Sequence, residues 1–194
     1  MSAAPWQREW QTAIREPAEL IDALKLDPAL VTPARRAAEG FELRVPRAFL
    51  ERIEPGNPRD PLLQQVLPVD LETGTPPDFV KDPVGDGASL QNGGVIHKYH
   101  GRALLIATGA CAINCRYCFR RHFPYAEANA RTGQWRNALA YLQGDTSLHE
   151  VILSGGDPLS LADRRLSALA EALQAIPHLR RLRIHSRLPV VLPS

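Results

Sequence analysis

The segment Arg102-Ala-Leu-Leu-Ile-Ala-Thr-Gly-Ala-Cys-Ala-Ile-Asn-Cys-Arg-Tyr-Cys118 decides the fold, because it runs from a buried strand into a group of cysteines. Residues 102–108 form a largely apolar run between two glycines, the pattern of a strand covered on both faces. Cys111, Cys115 and Cys118 follow directly, and the chain has no other cysteine. This grouping indicates a chemical site at the end of the strand.

The three cysteines are candidate thiolate ligands. An iron–sulfur cube normally takes four cysteine ligands, so three thiolates would leave one iron open to a substrate or cofactor. Two other interpretations stay open: a zinc site completed by His100 or His122, and three ordinary buried thiols. Because zinc sites usually contain two Cys/His pairs and no second pair is present, the spacing favours an iron–sulfur cluster.

Helices and strands are predicted to alternate after residue 95. The predicted elements are strands over 102–108, 150–153 and 179–185 and helices over 129–143 and 159–175. Alternation of this kind is typical of parallel βαβ units with right-handed crossovers. The cysteines and Gly155-Gly156 each follow a strand, and parallel sheets bind ligands at the edge where those strand ends meet. The sequence therefore predicts an α/β fold with its site at that edge.

The preceding part of the chain has a different pattern. Prolines at or near helix starts predict short helices over 6–14, 18–24, 33–39, 46–53 and 61–67. Residues 70–94 are rich in Pro, Gly and Asp and predict an irregular connector. We therefore expect two domains: a helical region with its connector over 1–94, and a parallel α/β domain over 95–194.

Two motifs resemble those of radical S-adenosylmethionine (SAM) enzymes: Cys-x3-Cys-x2-Cys, and Val151-Ile-Leu-Ser-Gly-Gly-Asp-Pro158. The resemblance implies a [4Fe-4S] cluster held by Cys111, Cys115 and Cys118. The iron without a cysteine ligand would bind SAM. It implies a partial (β/α)6 barrel, of which this chain holds the first half. Ser154, Gly155, Gly156 and Asp157 would contact SAM, since two glycines let backbone approach a ligand and a carboxylate accepts hydrogen bonds from an ammonium group.

The flanking segments narrow the resemblance. The stretches at 98–106, 118–125 and 182–193 resemble the lysine 2,3-aminomutase family, and the Trp-containing N-terminus, Phe123-Pro-Tyr125 and Gly-Gly-Asp-Pro are most similar to its EpmB branch. The resemblance implies an isomerase that uses pyridoxal 5′-phosphate (PLP) and converts L-lysine to (R)-β-lysine for modification of elongation factor P. A radical SAM aminomutase for another amino acid is the alternative within the same enzyme class.

Individual residues take expected roles from this resemblance. Arg120 would bind the substrate carboxylate, for which a planar guanidinium is suited, and a solvated arginine is its ordinary alternative. Tyr99 and Arg102 would bind the PLP phosphate, together with Lys98 where clostridial relatives carry arginine. His185 and Arg187 are further candidates for facing the cofactor site, although a structural role for His185 is equally compatible with the sequence.

The resemblance also implies a lysine that carries PLP, and the matching segment is missing. The lysines of this chain are Lys25, Lys81 and Lys98, and none lies in such a motif. We therefore expect a fragment or a truncated gene product that lacks the C-terminal half. The alternative function class is a non-catalytic remnant that still binds an iron–sulfur cluster or zinc.

Composition excludes several other classes of protein. The chain has 194 residues, of which 44% are hydrophobic and 23% charged, so it can form one good core. A net charge of +2 does not indicate a nucleic-acid partner. With no apolar segment of signal-peptide or membrane-span length, we expect a cytoplasmic protein, where reduced thiols persist. Its expected partners are lysine and a reductant such as flavodoxin or ferredoxin; homo-oligomer formation stays open.

Overall fold

The computed structural model describes residues 5–74, 76–125 and 135–193. These residues form two compact units that alternate along the chain. One comprises Met1–Pro83, Ala112–Arg121 and Leu188–Ser194, and the other comprises Val84–Cys111 and His122–Arg187. The first unit therefore takes in part of the cysteine segment. The predicted domain boundary at residue 94 stays a prediction, since compact units within one chain do not by themselves define domains.

The first unit is built mainly from short helices. They are α1 (Pro5–Gln11), α2 (Pro17–Ala23), α3 (Val31–Gly40), α4 (Arg47–Leu50) and α7 (Leu188–Val191). Proline opens α2, where its missing N–H costs nothing, and the carboxylate of Glu16 accepts a hydrogen bond from the backbone of Ala18. The backbones of Ile14 and Val45 exchange hydrogen bonds of 2.8 and 2.9 Å in an isolated antiparallel bridge. The helices predicted over 6–14, 18–24 and 33–39 are thus confirmed, whereas the one predicted over 46–53 is a single turn, Arg47–Leu50.

The fifth predicted helix, over 61–67, is shorter than expected. It is one 3-10 turn, Leu63–Gln65, which begins where the buried Asp60 carboxylate accepts hydrogen bonds from the backbones of Leu62 and Leu63. These backbone donors, with that of Glu54, lower the pKa of Asp60 against the opposing effect of burial. Pro68 disfavours a helical conformation at Leu67, so the turn does not propagate.

The second unit contains a sheet of five strands in the order β1-β2-β3-β4-β5. Its strands are β1 (Leu90–Gln91), β2 (Val95–Tyr99), β3 (Arg102–Thr108), β4 (Glu150–Gly155) and β5 (Arg181–Ile184). Strands β3, β4 and β5 are parallel, as the alternating pattern predicts. Strands β1 and β2 are antiparallel additions that the sequence did not predict. The expected α/β class with parallel central strands is confirmed, within a mixed sheet.

One glycine is required by the turn between β2 and β3. Gly101 has φ of +75°, and a Cβ there would lie 2.2 Å from the ring of His149. Only glycine fits both the left-handed backbone and the close approach of the imidazole. The turn places Tyr99 opposite Arg102 in the antiparallel register.

Two helices cover one face of the sheet. They are α5 (Arg136–Gly144) and α6 (Asp163–Gln174); the start of the helix predicted over 129–143 lies outside the described residues. Alternate residues of β3 and β4, among them Leu105 and Leu153, pack in one core with helix residues such as Leu169 of α6. The opposite sheet face carries Arg102, Glu150 and Arg181 side by side in register. No helix in the described ranges is long and apolar enough to cross a membrane.

Candidate functional site

The carboxyl ends of β3 and β4 meet immediately before the first cysteine. The backbone N–H of Gly156 donates to the carbonyl of Thr108, and that of Asp157 donates to the carbonyl of Ala110, each at 2.7 Å. The predicted SAM-contacting segment and the residues leading to Cys111 are therefore adjacent, as expected for neighbouring parallel strands. Ser154, at the end of β4, is buried and lies opposite Ile106 in the register.

Both glycines of this segment are needed for the close approach. Gly155 has φ of +115°, and a Cβ on it would lie 2.5 Å from the carbonyl oxygen of Thr108. A Cβ on Gly156 would lie 2.3 Å from the carbonyl oxygen of Ala110, which is backbone and cannot rotate away. The glycines that the sequence assigns to ligand contact therefore also hold two strand ends together.

Asp157 is buried and its carboxylate is hydrogen-bonded within the chain. Oδ1 accepts from the backbone N–H of Leu159 at 3.0 Å and from Ser186 Oγ at 2.7 Å, and Oδ2 accepts from the backbone N–H of Arg187 at 2.7 Å. Asp157 thus links the loop after β4 to the segment after β5. Its expected contact with SAM stays a prediction.

Tyr125 contacts the residues at the ends of both β3 and β4. Its hydroxyl donates a 2.8 Å hydrogen bond to the carbonyl of Gly155. Its ring packs on Gly109, where an added Cβ would lie 3.1 Å from the tyrosine Cβ. This tyrosine of the Phe-Pro-Tyr stretch had no expected role, and its hydroxyl is what fixes it to the glycine loop.

Cys115 and Cys118 lie in the first unit and are joined by a turn. The backbone N–H of Cys118 donates to the carbonyl of Cys115 at 2.9 Å, and that of Arg121 donates to Cys118 at 3.1 Å. Cys111 belongs to the second unit. All three are half-buried thiols outside any disulfide.

The three thiols fit an iron–sulfur cluster in their donor chemistry, because thiolates are its usual ligands. Among residues 5–74, 76–125 and 135–193, no three Cys, His, Asp or Glu side chains lie close enough together to hold a metal ion. The assignment of Cys111, Cys115 and Cys118 as ligands therefore stays a prediction from the motif, and so does the zinc alternative.

Arg120 is the expected substrate-binding arginine. It is 9% exposed, and its guanidinium carbon lies 4.7 Å from the ring centroid of Phe119. A stacked guanidinium in a buried position is less consistent with the ordinary alternative, a solvated arginine in a basic loop. Its contact with a substrate carboxylate stays a prediction.

Tyr99 and Arg102, the expected phosphate contacts, are adjacent in the second unit. Tyr99 is 67% exposed. Arg102 shares the buried carboxylate of Glu150 with Arg181 and Arg183: the Nε atoms of Arg102 and Arg183 each lie 3.1 Å from Oε1, and Nη1 of Arg181 lies 2.8 Å from Oε2. Three cations around one carboxylate leave an excess of positive charge on this face.

The arginines also act on Glu150 itself. The hydrogen bond from Arg181 lowers the pKa of Glu150, burial opposes it, and the charges of Arg102 and Arg183 lower it further. Sequence reasoning missed this cluster. The sequence signal for the cluster was the alternation of Arg181 and Arg183 within one predicted strand. Arg102 and Glu150 are the first residues of the other two predicted strands.

Lys98 has a different partner from the one that the resemblance implies. Its ammonium donates 2.5 Å hydrogen bonds to the carbonyl of Val84 and to the carboxylate of Asp86. The side chain of Asp86 is 4% exposed, so this is a nearly buried ion pair. His185, another candidate, is exposed, and its backbone N–H donates to the carbonyl of Leu153.

Comparison with known proteins identifies relatives over the whole chain, although no family model matches it. L-lysine 2,3-aminomutase of Escherichia coli (strain K12) is 48% identical over 194 residues, which are 100% of this chain and 56% of the relative. The protein of the same name from Haemophilus influenzae is 45% identical over 97% of this chain and 56% of its own length. That of Clostridium subterminale is 30% identical over 100% of this chain and 48% of its own length. The chain is therefore similar over its whole length to proteins named L-lysine 2,3-aminomutase, and it spans about half the length of these relatives.

Proposed function

We propose that the natural protein containing this chain is a radical SAM, PLP-dependent aminomutase that converts L-lysine to (R)-β-lysine. The observation that supports this most directly is 48% identity, over the full chain, to a protein named L-lysine 2,3-aminomutase. We further propose that it acts in the cytoplasm and that its product serves the modification of elongation factor P, as the resemblance to the EpmB branch implies.

In this proposal the cysteine segment and the glycine loop hold the groups that generate the radical. Cys111, Cys115 and Cys118 would hold the [4Fe-4S] cluster, and Ser154 to Asp157 would contact SAM. The cluster and SAM supply a carbon radical, and PLP supplies a ring that delocalises the unpaired electron. The bonds from Gly156 and Asp157 to the carbonyls of Thr108 and Ala110 support this arrangement, because they fix the glycine loop beside the strand that leads to Cys111.

The arginines would hold the anionic groups. Arg120 would bind the substrate carboxylate through its planar guanidinium, and its burial would exclude competing water from that contact. Tyr99 and Arg102 would bind the PLP phosphate, with a phenolic O–H and a cation on the same side of one hairpin. A small reductant protein such as flavodoxin or ferredoxin would supply the electron.

The proposal is tested by anaerobic reconstitution of the natural protein with iron and sulfide. We expect an EPR signal of a reduced [4Fe-4S] cluster that shifts when SAM is added, and conversion of L-lysine to β-lysine once PLP and a reductant are present. Cys115→Ala should abolish the SAM-dependent shift, because it removes one of the proposed ligands.

Other outcomes separate the alternatives. Stoichiometric zinc without iron, or a cluster without turnover of any amino acid, would indicate a metal-binding remnant and would contradict the proposal. Turnover of another amino acid in place of lysine would retain the radical SAM aminomutase class and overturn the substrate. Retention of a full SAM-responsive cluster in Cys115→Ala would overturn the ligand assignment.

A further inference from the structure

The carboxylate of Glu72 binds two of the three arginines that follow the second and third cysteines. Glu72 lies in the 3-10 turn Asp70–Thr73, and its side chain is 13% exposed. Arg116, directly after Cys115, pairs through Nε with Oε1 of Glu72. Arg121, three residues after Cys118, donates from Nη1 to Oε2 at 2.7 Å. The two oxygens of one carboxylate therefore bind the ends of the segment that bears Cys118.

Backbone hydrogen bonds hold the residues around Cys115 to the same unit. The N–H of Asn114 donates to the carbonyl of Arg44 at 3.0 Å, and its side-chain amide donates to the carbonyl of Glu42 at 2.8 Å. The N–H of Arg116 donates to the carbonyl of Gln65 at 2.8 Å. Cys115 thus lies between two residues whose backbones are anchored to the N-terminal part of the chain.

The Glu72–Arg121 pair is largely buried. The Arg121 side chain is 17% exposed, and its guanidinium carbon lies 5.0 Å from the ring centroid of Phe41. Its Nε is buried and has no hydrogen-bond partner within the described part of the chain. Removing the negative charge of Glu72 would leave a mostly buried cation without its counter-ion, which strongly disfavours the present conformation.

We propose that Glu72 is a positioning residue that sets the conformation of the segment carrying Cys115 and Cys118. It acts through Arg116 and Arg121, and it presents the two thiols in a fixed turn before any cluster is bound. The role as a positioner of cluster ligands rests on the proposed function, whereas the control of the thiol segment does not. Residues of the N-terminal helical region therefore contribute to a site that the sequence assigns to the barrel domain.

The test compares Glu72→Gln with Asp70→Asn in the natural protein. Gln keeps the size of Glu72 and removes its charge. Asp70 lies in the same 3-10 turn and pairs with Arg36, but both side chains are about half exposed, and among the described residues the pair is formed away from the cysteine segment, so it is a matched control. The first readout is the rate at which iodoacetamide alkylates each cysteine of the apo protein, followed by peptide mass spectrometry with Cys111 as the internal reference. The second is the rate of iron loss from the reconstituted protein to a chelator.

We expect Glu72→Gln to raise alkylation of Cys115 and Cys118 by about fivefold or more relative to Cys111, since local opening becomes easier when an ion pair is lost. Iron loss should accelerate in parallel, while Asp70→Asn matches the wild type in both readouts. Equal alkylation in the two variants would overturn the proposal. So would a uniform rise at all three cysteines with a lowered melting temperature, because that result marks Glu72 as a general stability residue.

The two proposals fail in distinguishable ways. If the wild type takes up no iron but the alkylation difference stands, the proposed function fails and the positioning role holds. If Glu72→Gln does not fold, Arg116→Gln takes its place, because it removes one ion pair and leaves the buried Glu72–Arg121 pair. A higher ratio of Cys115 to Cys111 alkylation than in the wild type would then support the role, and an unchanged ratio would overturn it.

Discussion

The backbone N–H of Arg187 donates a 2.7 Å hydrogen bond to the carboxylate of Asp157, which lies thirty positions earlier in the chain. The hydroxyl of Ser186 donates to the other carboxylate oxygen. This buried acid therefore fastens the chain after β5 to the loop after β4. Two adjacent parallel strands have their ends held by one side chain, at the edge where ligands bind in such sheets.

Replacing Asp157 by Asn should destabilise the protein by about 1–3 kcal/mol, because an amide NH2 would then face a backbone or hydroxyl donor. The measurement is the free energy of unfolding in urea. Asp163→Asn is the control, since Asp163 is exposed at the start of α6. Equal stability of the two variants would contradict the structural role of the Asp157 carboxylate.

Gly156→Ala should also destabilise the protein, on the order of 1–3 kcal/mol, because the added methyl group would collide with the backbone of Ala110. The shift needed to relieve it would break the hydrogen bond from Asp157 to the Ala110 carbonyl. The control is Gly144→Ala at the end of α5, where an added Cβ meets no atom within 4 Å. Thermal unfolding of both variants checks the prediction, and a Gly156→Ala protein as stable as Gly144→Ala would refute it.

Lys98→Met should cost roughly 3–5 kcal/mol, because it leaves the buried Asp86 carboxylate without its ammonium partner. Lys81→Met is the matched control, because Lys81 is exposed and makes no hydrogen bond or ion pair within the described residues. Urea unfolding distinguishes the two. A loss of PLP affinity without a loss of stability would instead assign Lys98 to the phosphate, as the resemblance implies.

The elements that sequence predicted well are those whose signal is local. The apolar run of β3 between Gly101 and Gly109 needs no knowledge of its neighbours, and the same holds for β4 and α6. Strand β1 has two residues and no pattern of its own, and β2 follows Gly93-Gly94 in a stretch rich in turn residues. Strand β2 pairs with the edge of β3 and β1 pairs in turn with β2, so both depend on unpaired backbone groups that only the folded sheet presents.

The residues of the candidate site also differ in whether their signal is local in the sequence. The glycines after β4 were predictable, because a strand that ends in two glycines indicates a close approach. The bonds from Ser186 and Arg187 to Asp157 and the ion pairs of Glu72 were not predictable, since they join residues tens of positions apart and form no recognisable motif. The cluster around Glu150 is intermediate: its alternating arginines are visible in the sequence, but their register against β4 is set by the sheet.

The arginine cluster gives the pH dependence of stability a definite sign. Because the pKa of Glu150 is lowered in the folded protein, its ionised form contributes stability above the ordinary pKa of a glutamate, about 4.3. That contribution is lost as the pH falls through the lower folded pKa. Stability of the wild type should therefore fall faster below about pH 5 than that of Glu150→Gln, which lacks the ionised group at every pH.

Urea midpoints of the two proteins measured from pH 7 to pH 3 check this prediction. The difference between them should be largest at neutral pH and should shrink as the pH falls, because a protonated glutamate and a glutamine are both neutral. Glu171→Gln, on the exposed side of α6, is the control and should run parallel to the wild type. A constant difference across the whole range would mean that the three arginines are not held by the charge of Glu150, and the excess positive charge on this sheet face would need another explanation.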